Sequence, residues 1–243
     1  MLVLPNAWDA ASARVFQAVG FPAIATTSGG VSAALGFADH EQAPLEEMSA
    51  AAARIVAAVT VPVSVDFEAG YRLPPEAIVE RLIAIGAAGL NLEDSDHYGE
   101  AKLLDAERQA ERLAAVKLAA RAAGVDLFLN ARVDVFVRPE GPPQRQLAEG
   151  LRRARLYQEA GADCIYPIML SDEAMISELV EAVGMINVNL RRGGPLTLAR
   201  AATLGVRRVT YASSLFRETM AEVERIAAAV CAEVSSEVAR SGE

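Results

Sequence analysis

Residues 61–72 read VPVSVDFEAGYR, a short apolar run that ends abruptly in two carboxylates, Asp66 and Glu68, followed by Gly70 and Tyr71. A β-branched run of this length fits a buried strand. Acids one residue beyond it stand where a parallel sheet opens onto its ligand face. Taken alone, the stretch fits a strand end capped by solvated acids equally well. What decides between the two is the rest of the chain, where the same arrangement recurs.

Working outward, apolar runs short enough for strands lie at 2–5, 23–26, 61–65, 89–92, 127–131, 164–166, 185–188 and 208–211. Ala-, Leu-, Glu- and Arg-rich segments with helical spacing separate them at 9–19, 45–58, 75–85, 105–123, 146–160, 172–183, 195–204 and 215–232. Glycines punctuate the helix-to-strand junctions at Gly20, Gly86, Gly124, Gly161, Gly184 and Gly205. This is a weak internal repeat of helix, glycine stop and strand. Strict βα alternation predicts a parallel sheet, and eight repeats predict closure as a (β/α)8 TIM-type barrel, one domain over residues 1–243. A doubly wound open sheet is the alternative. Its nucleotide-binding form needs G-x-G-x-x-G after a strand, and the one glycine-rich candidate loop, Ser28-Gly29-Gly30, lacks it. Linkers are short except near residues 36–44 and 139–143.

A net charge of −9 and 5% aromatic residues argue against a nucleic-acid partner, which needs a clustered basic surface. The two cysteines, Cys164 and Cys231, have neither metal-ligand spacing nor a disulfide framework, as in a reducing compartment. No apolar stretch reaches membrane-spanning length, and the first residues, MLVLPNAWD, lack signal-peptide features. The expectation is a soluble cytoplasmic protein with a small-molecule partner.

In a barrel of this kind the reacting groups come from the C-terminal ends of the strands. The polar residues there are Asn6 and Asp9, Thr27 and Ser28, Asp66 and Glu68, Glu93 and Asp94, Arg132 and Asp134, Asn187 and Asn189, and Tyr211 and Ser213. Asp66, Glu68 and Glu93 converging in a partly dry pocket would take up protons unless a cation neutralised them. Mg2+ is the expected ion, held directly by one or two carboxylates and otherwise through water, with Mn2+ able to substitute. Its open positions suit a bidentate 2-oxo acid and the enolate formed when a bond at the next carbon breaks. Arg132 offers a planar, permanently charged donor to a carboxylate or oxyanion; the competing role is a structural pair with Asp134 or Glu93.

The blocks LPNAWDAASA, TTSGGVSAALGFAD, VPVSVDFEAGYR, GLNLEDSD, LNARVDVF, AGADCIYP and LGVRRVTYASSLFR together resemble the isocitrate lyase and phosphoenolpyruvate mutase superfamily. The resemblance implies a (β/α)8 barrel whose last helix, here 215–232, is exchanged with a neighbouring subunit, usually in a dimer of dimers. It implies Asp66 as the metal-binding aspartate with Glu68 and Glu93 as outer acids. Thr27, Ser28 and Gly29 match a segment that binds a substrate carboxylate or phosphonate, Asp39 an acid in the following loop, and Arg132 the substrate arginine. The form D-x-E-A-G-[FY] is closer to the lyases than to the mutases. One departure stands out. The lyases carry a lysine-cysteine-glycine-histidine loop whose cysteine is the general acid; here residues 93–102 read EDSDHYGEAK, with no cysteine. His97, Tyr98 or Lys102 could donate a proton in its place, though a solvated side chain on an exposed loop suits His97 as well. The lyases' serine-rich carboxylate-binding segment is also replaced, by residues 187–192, of which Asn187 is the substrate-binding candidate.

The resemblance therefore implies a Mg2+-dependent carbon–carbon lyase or decarboxylase acting on a small 2-oxo or 2-hydroxy di- or tricarboxylate of the oxaloacetate, isocitrate or 2-methylisocitrate type. Decarboxylation of oxaloacetate makes the least demand on a missing acid. Carbon–phosphorus chemistry on phosphonopyruvate, and a 2-oxo-acid-binding protein with little turnover, are the alternatives.

Overall fold

The computed structural model describes residues 1–99 and 102–241. Its strands are β1 (Leu2–Val3), β2 (Asn6–Ala7), β3 (Ile24–Thr26), β4 (Val63–Asp66), β5 (Gly89–Glu93), β6 (Phe128–Val133), β7 (Cys164–Pro167), β8 (Asn187–Asn189) and β9 (Arg208–Thr210). All their ladders are parallel and fall into two sheets, β2-β3-β4-β5-β6-β7 and β1-β9-β8. One seam between the sheets is bridged by the chain itself, because β1 and β2 are one extended segment interrupted at Leu4-Pro5. At the other seam Ile165 pairs with Ile186, and its N–H donates to the Met185 carbonyl at 3.0 Å. The order of neighbours is that of a TIM-type barrel built in two ladders.

Helices follow the strands: α1 (Ala10–Ala18), α2 (Ser28–Leu35), α3 (Leu45–Ala57), α4 (Pro75–Ile85), α5 (Ala106–Ala122), α6 (Pro143–Glu159), α7 (Glu173–Val183), α8 (Leu198–Thr203) and α9 (Ser214–Ser241). The six expected glycine stops all have positive φ, and Gly86, at +76°, ends α4 in the left-handed conformation that an L side chain adopts only under strain. α2 was not expected, since Ser28-Gly29-Gly30 reads as loop. Thr27 caps it through its hydroxyl, and the two glycines admit close neighbours: a Cβ on Gly30 would fall 2.6 Å from Thr27 Cγ2.

The strands prove less uniformly apolar than their sequence suggests. In VSVD, GLNLE and FLNARV the residues alternate, and the polar set points inward. Within the barrel Asn130 donates to Asn91 at 2.8 Å, Arg208 to Ser64 at 3.0 Å and Asn187 to Thr210 at 3.0 Å. The outward set, including Val65, Leu90, Leu92, Leu129, Ala131 and Val133, joins Ile78, Leu82, Leu113, Val116, Tyr157 and Ile176 of the helices in the main apolar core. The core thus lies between barrel and helices, and the inward column leads up to the polar rim.

The last helix is longer than the expected 215–232. Its first turn packs on the barrel, with Phe216 edge-on to Trp8 at 5.5 Å, but residues 217–238 are exposed throughout. No described helix is long and apolar enough to cross a membrane.

Candidate active site

Register brings the rim together. Asp66 lies level with Asn91, and Glu93 with Arg132, so the acids of β4 and β5 and the arginine of β6 occupy adjoining positions. The Asp66 N–H donates to Thr26 Oγ1 at 2.8 Å, which locks the strand end. Its carboxylate accepts from the Ser28 N–H at 3.0 Å, joining β4 to the start of α2. Among the described residues Asp66 has no ion-pair partner.

Glu68 is 2% exposed. It accepts from the Glu41 N–H at 2.6 Å and from the Tyr71 hydroxyl in a very short bond. Burial pushes its carboxyl up to about 8, against the pull of those two donors, with Asp66 and Asp39 pushing the same way. Glu93 is raised too, first by burial, with Arg132 opposing and Asp134, Asp66 and Asp39 adding to the shift. Five acids from four stretches of the chain, Asp39, Asp66 with Glu68, Glu93 and Asp134, therefore act on one another.

The sign of the Glu68 shift sets a stability prediction. Folded Glu68 keeps its proton to about pH 8, whereas the unfolded chain releases it near 4.5, so unfolding releases a proton between those values. The metal-free protein should lose stability as pH rises from about 4.5 through about 8, by at most ~5 kcal/mol at about 1.4 kcal/mol per unit. Urea titrations at pH 5 and pH 9 measure it. Glu68→Gln should flatten the slope, and an unchanged slope in that variant would reassign the effect.

Arg132 makes both of the acid pairs read as its competing role. Its Nε and Nη2 donate to Asp134 at 2.7 and 2.8 Å, and Nη1 lies 2.5 Å from Glu93 Oε2. Two of its five N–H groups are hydrogen-bonded to Asp134, which with the Glu93 charge fixes the guanidinium plane. His97 departs from the solvated reading: its side chain is 2% exposed, and Nε2 lies 2.6 Å from Glu93 Oε1.

The segment 27–29 and Asp39 also come together. Thr27 Oγ1 is 2.9 Å from Ser213 Oγ, and a Cβ on Gly29 would fall 2.6 Å from Asp39 Oδ2 and 2.7 Å from Ser213 Oγ. Asn187, expected at the rim, is sealed inside the barrel and bonded to Thr210. The reason is register: the strand begins at Asn187 rather than ending near it, so Asn189 takes the rim position and accepts from the Met169 N–H at 2.7 Å. A cavity of about 200 Å3 opens there, lined by Ser171, Asn189, Arg191, Tyr211 and Arg217.

Asp94 and Asp134 belong to the scaffold. Asp94 accepts from the Asp134 N–H, from Arg153 Nη1 at 3.0 Å and from the Tyr157 hydroxyl at 2.7 Å. Sequence reasoning missed Arg153 and Tyr157, whose spacing along α6 looks like ordinary helix, and His40, whose ring lies 5.3 Å from that of His97. Glu100 and Ala101 of the loop after β5 lie outside the described residues.

All seven non-glycine residues with positive φ among the described residues lie in loops on this face: His40, Glu41, Glu68, Tyr71, Arg72, Met169 and Ala212. Such strain persists only where surroundings enforce it, and it concentrates at working sites. Acids, a pinned arginine and the start of a helix thus converge at the C-terminal rim of the barrel. Residues 1–231 match the phosphoenolpyruvate phosphomutase family, and the chain belongs to the isocitrate lyase and phosphoenolpyruvate mutase superfamily. An uncharacterised Mycobacterium tuberculosis protein is 36% identical over 87% of this chain and 77% of its own length. The 2,3-dimethylmalate lyase of Eubacterium barkeri is 29% identical over 84% and 71%. Among solved structures, a putative phosphonomutase from Burkholderia cenocepacia superposes with a TM-score of 0.87 at 41% identity, covering 93% of both chains. Oxaloacetate acetylhydrolase in complex with oxalate superposes at 0.82 with 25% identity, covering 93% of this chain and 80% of that one.

Proposed function

We propose that this protein is a Mg2+-dependent carbon–carbon lyase or decarboxylase of the cytoplasm, acting on a small 2-oxo or 2-hydroxy di- or tricarboxylate. The observation that carries the reading is Asp66, a carboxylate at the rim with no ion-pair partner among the described residues, beside acids whose proton affinities are raised. That donor set fits a hard dication. Asp66 would hold it directly, while Glu68 and Glu93, already engaged by Tyr71, Glu41, His97 and Arg132, would act through water. Once bound, the ion supplies positive charge where an enolate oxygen develops.

The chain's own residues do the rest. The start of α2 at residues 27–29, where the Ser28 N–H is held by Asp66, would offer the Gly29 N–H to a substrate carboxylate. Arg132, held in plane by Asp134 and Glu93, would offer its remaining N–H groups to the reacting end. The cavity flanked by Arg191 and Arg217 has room for a second carboxylate. His97, bonded at Nε2 to Glu93, can hold or pass a proton where the lyases use a cysteine. The named 2,3-dimethylmalate lyase and oxaloacetate acetylhydrolase support carboxylate chemistry. The Burkholderia structure's name favours a second reading, carbon–phosphorus chemistry on phosphonopyruvate, for which the start of α2 would hold the phosphonate.

Oxalate, a planar mimic of a 2-oxo acid's enolate, tests the centre by calorimetry. Binding that requires Mg2+ and disappears in Asp66→Ala is expected. Binding independent of Mg2+, or unchanged in the variant, would overturn the metal assignment.

Helix α9 supports assembly by exchange between subunits. It exposes Met220, Val223, Ile226, Val230 and Val234 along one stripe, while Val15 of α1 and Val19 just past its end are exposed as well. The oligomer should dissociate in Ile226→Glu/Val230→Glu, as light scattering after size exclusion would show. An unaltered mass would rule the exchange out.

A further inference from the structure

We propose that His40, Glu93 and His97 form a separate, nitrogen-containing metal site that takes Zn2+ or a similar transition-metal dication. The chain has two histidines in 243 residues, and the fold brings both to one carboxylate. Their ligand atoms and that of Glu93 all lie within 4.8 Å of one another. His40 comes from the loop between α2 and α3, His97 from the loop after β5, and Glu93 from the strand end itself. Two stretches of backbone, far apart in sequence, thus supply the three donors.

Each donor is held in place. Glu93 is fixed by Arg132 on one oxygen and faces His97 with the other at 2.6 Å. His40 is held by backbone: it and Glu41 adopt φ of +70° and +56°. That strained pair is tied down from both sides, by the Glu41 N–H to Glu68 and by the Tyr71 N–H to Glu41 Oε1 at 2.7 Å. Left-handed geometry at two successive non-glycine residues is strained, and its maintenance here sets the imidazole over His97. The rings stand 5.3 Å apart at 34°, so the nitrogens converge without the rings stacking flat.

The donor chemistry separates this site from the oxygen centre at Asp66. Two imidazoles and one carboxylate form the set preferred by zinc and its neighbours, whereas Mg2+ selects oxygens. His97 Nε2 and Glu93 Oε1 are 2.6 Å apart, within hydrogen-bond distance of each other, so a bound ion would take the place of that direct contact. Glu93 and His97 are closed to solvent, while His40 is exposed, so the path of entry runs past His40. Three protein ligands leave a fourth position for water, and a bound ion would clasp the two loops together over the rim. The site shares Glu93 with the magnesium centre but does not rest on it.

Metal-stripped protein, titrated with Co2+ in saturating Mg2+ and read by visible absorption, tests this, with equilibrium dialysis of Zn2+ as a second readout. One ion per chain is expected, with the absorption of a nitrogen-ligated site. His40→Gln, at an exposed position that leaves the fold intact, should weaken binding at least ~10-fold, and His97→Gln likewise. Asp66→Ala should leave it unchanged. Failure of the native protein to bind, affinity unaltered in His40→Gln, or loss confined to Asp66→Ala would each overturn the proposal. The last outcome would place the ion at the oxygen centre, and oxalate binding with Mg2+ reports on that centre independently.

Discussion

Asp66→Ala should lower turnover by about 10^3-fold or more while leaving the protein folded. A bound dication contributes several kcal/mol to stabilising developing charge, and each 1.36 kcal/mol is tenfold in rate. The structural cost of the substitution is small. Asp66 is partly exposed, and its carboxylate holds only the Ser28 N–H and, at 3.4 Å, the Asn91 amide. The lock to Thr26 runs through the Asp66 backbone, which alanine retains. Steady-state kinetics at saturating Mg2+, paired with a thermal melt, separate the two effects. A rate within tenfold of the native enzyme, with the fold intact, would remove Asp66 from the metal centre.

Asp94→Ala should act on the other side of the ledger, destabilising the fold by about 3–5 kcal/mol, the range for breaking a buried charge pair. Asp94 is fully buried and receives three donors: the Asp134 N–H, Arg153 and the Tyr157 hydroxyl. Its own carbonyl accepts from the Leu104 N–H at 2.8 Å. One residue therefore joins the end of β5, the turn after β6, helix α6 and the base of the loop that carries His97. Alanine would leave Arg153 short of a charge partner inside the protein and Tyr157 without an acceptor. For a chain of this length the melting midpoint should fall by roughly 10 °C. Glu107→Ala, which removes an exposed partner of Arg152, is the control and should cost less than about 1 kcal/mol. Equal effects in the two variants would mean that the Asp94 cluster adds nothing beyond a surface pair.

The barrel was legible because its signal repeats: apolar run, helical segment and glycine stop return around the ring, and errors in any one unit do not alter the count. The acids were legible for a related reason, since Asp66, Glu68 and Glu93 directly follow their runs. What could not be read depends on which residues meet across the fold. Asn187 and Asn189 differ by two positions on one strand, and only the pairing of Asn187 with Arg208 shows that the first is interior and the second at the rim. Arg132 looked like either a substrate ligand or a structural partner, and three-dimensional pairing with both Glu93 and Asp134 shows that its plane is fixed. His40 gave no signal at all. Its place over His97 comes from two left-handed residues that are neither glycine nor asparagine, a conformation that propensity argues against. Helix α2 escaped notice because two glycines lower helix propensity, while close packing around Gly29 and Gly30 favours them there.

The most direct test of the central claim is turnover with Mg2+ on oxaloacetate, isocitrate, 2-methylisocitrate and phosphonopyruvate, following pyruvate, glyoxylate and succinate, with Asp66→Ala alongside. Mg2+-dependent cleavage of a carbon–carbon bond in at least one of the three carboxylates, abolished by EDTA and by the variant, is expected. Turnover of phosphonopyruvate alone would transfer the site to carbon–phosphorus chemistry, and silence on all four substrates would contradict the assignment of a lyase.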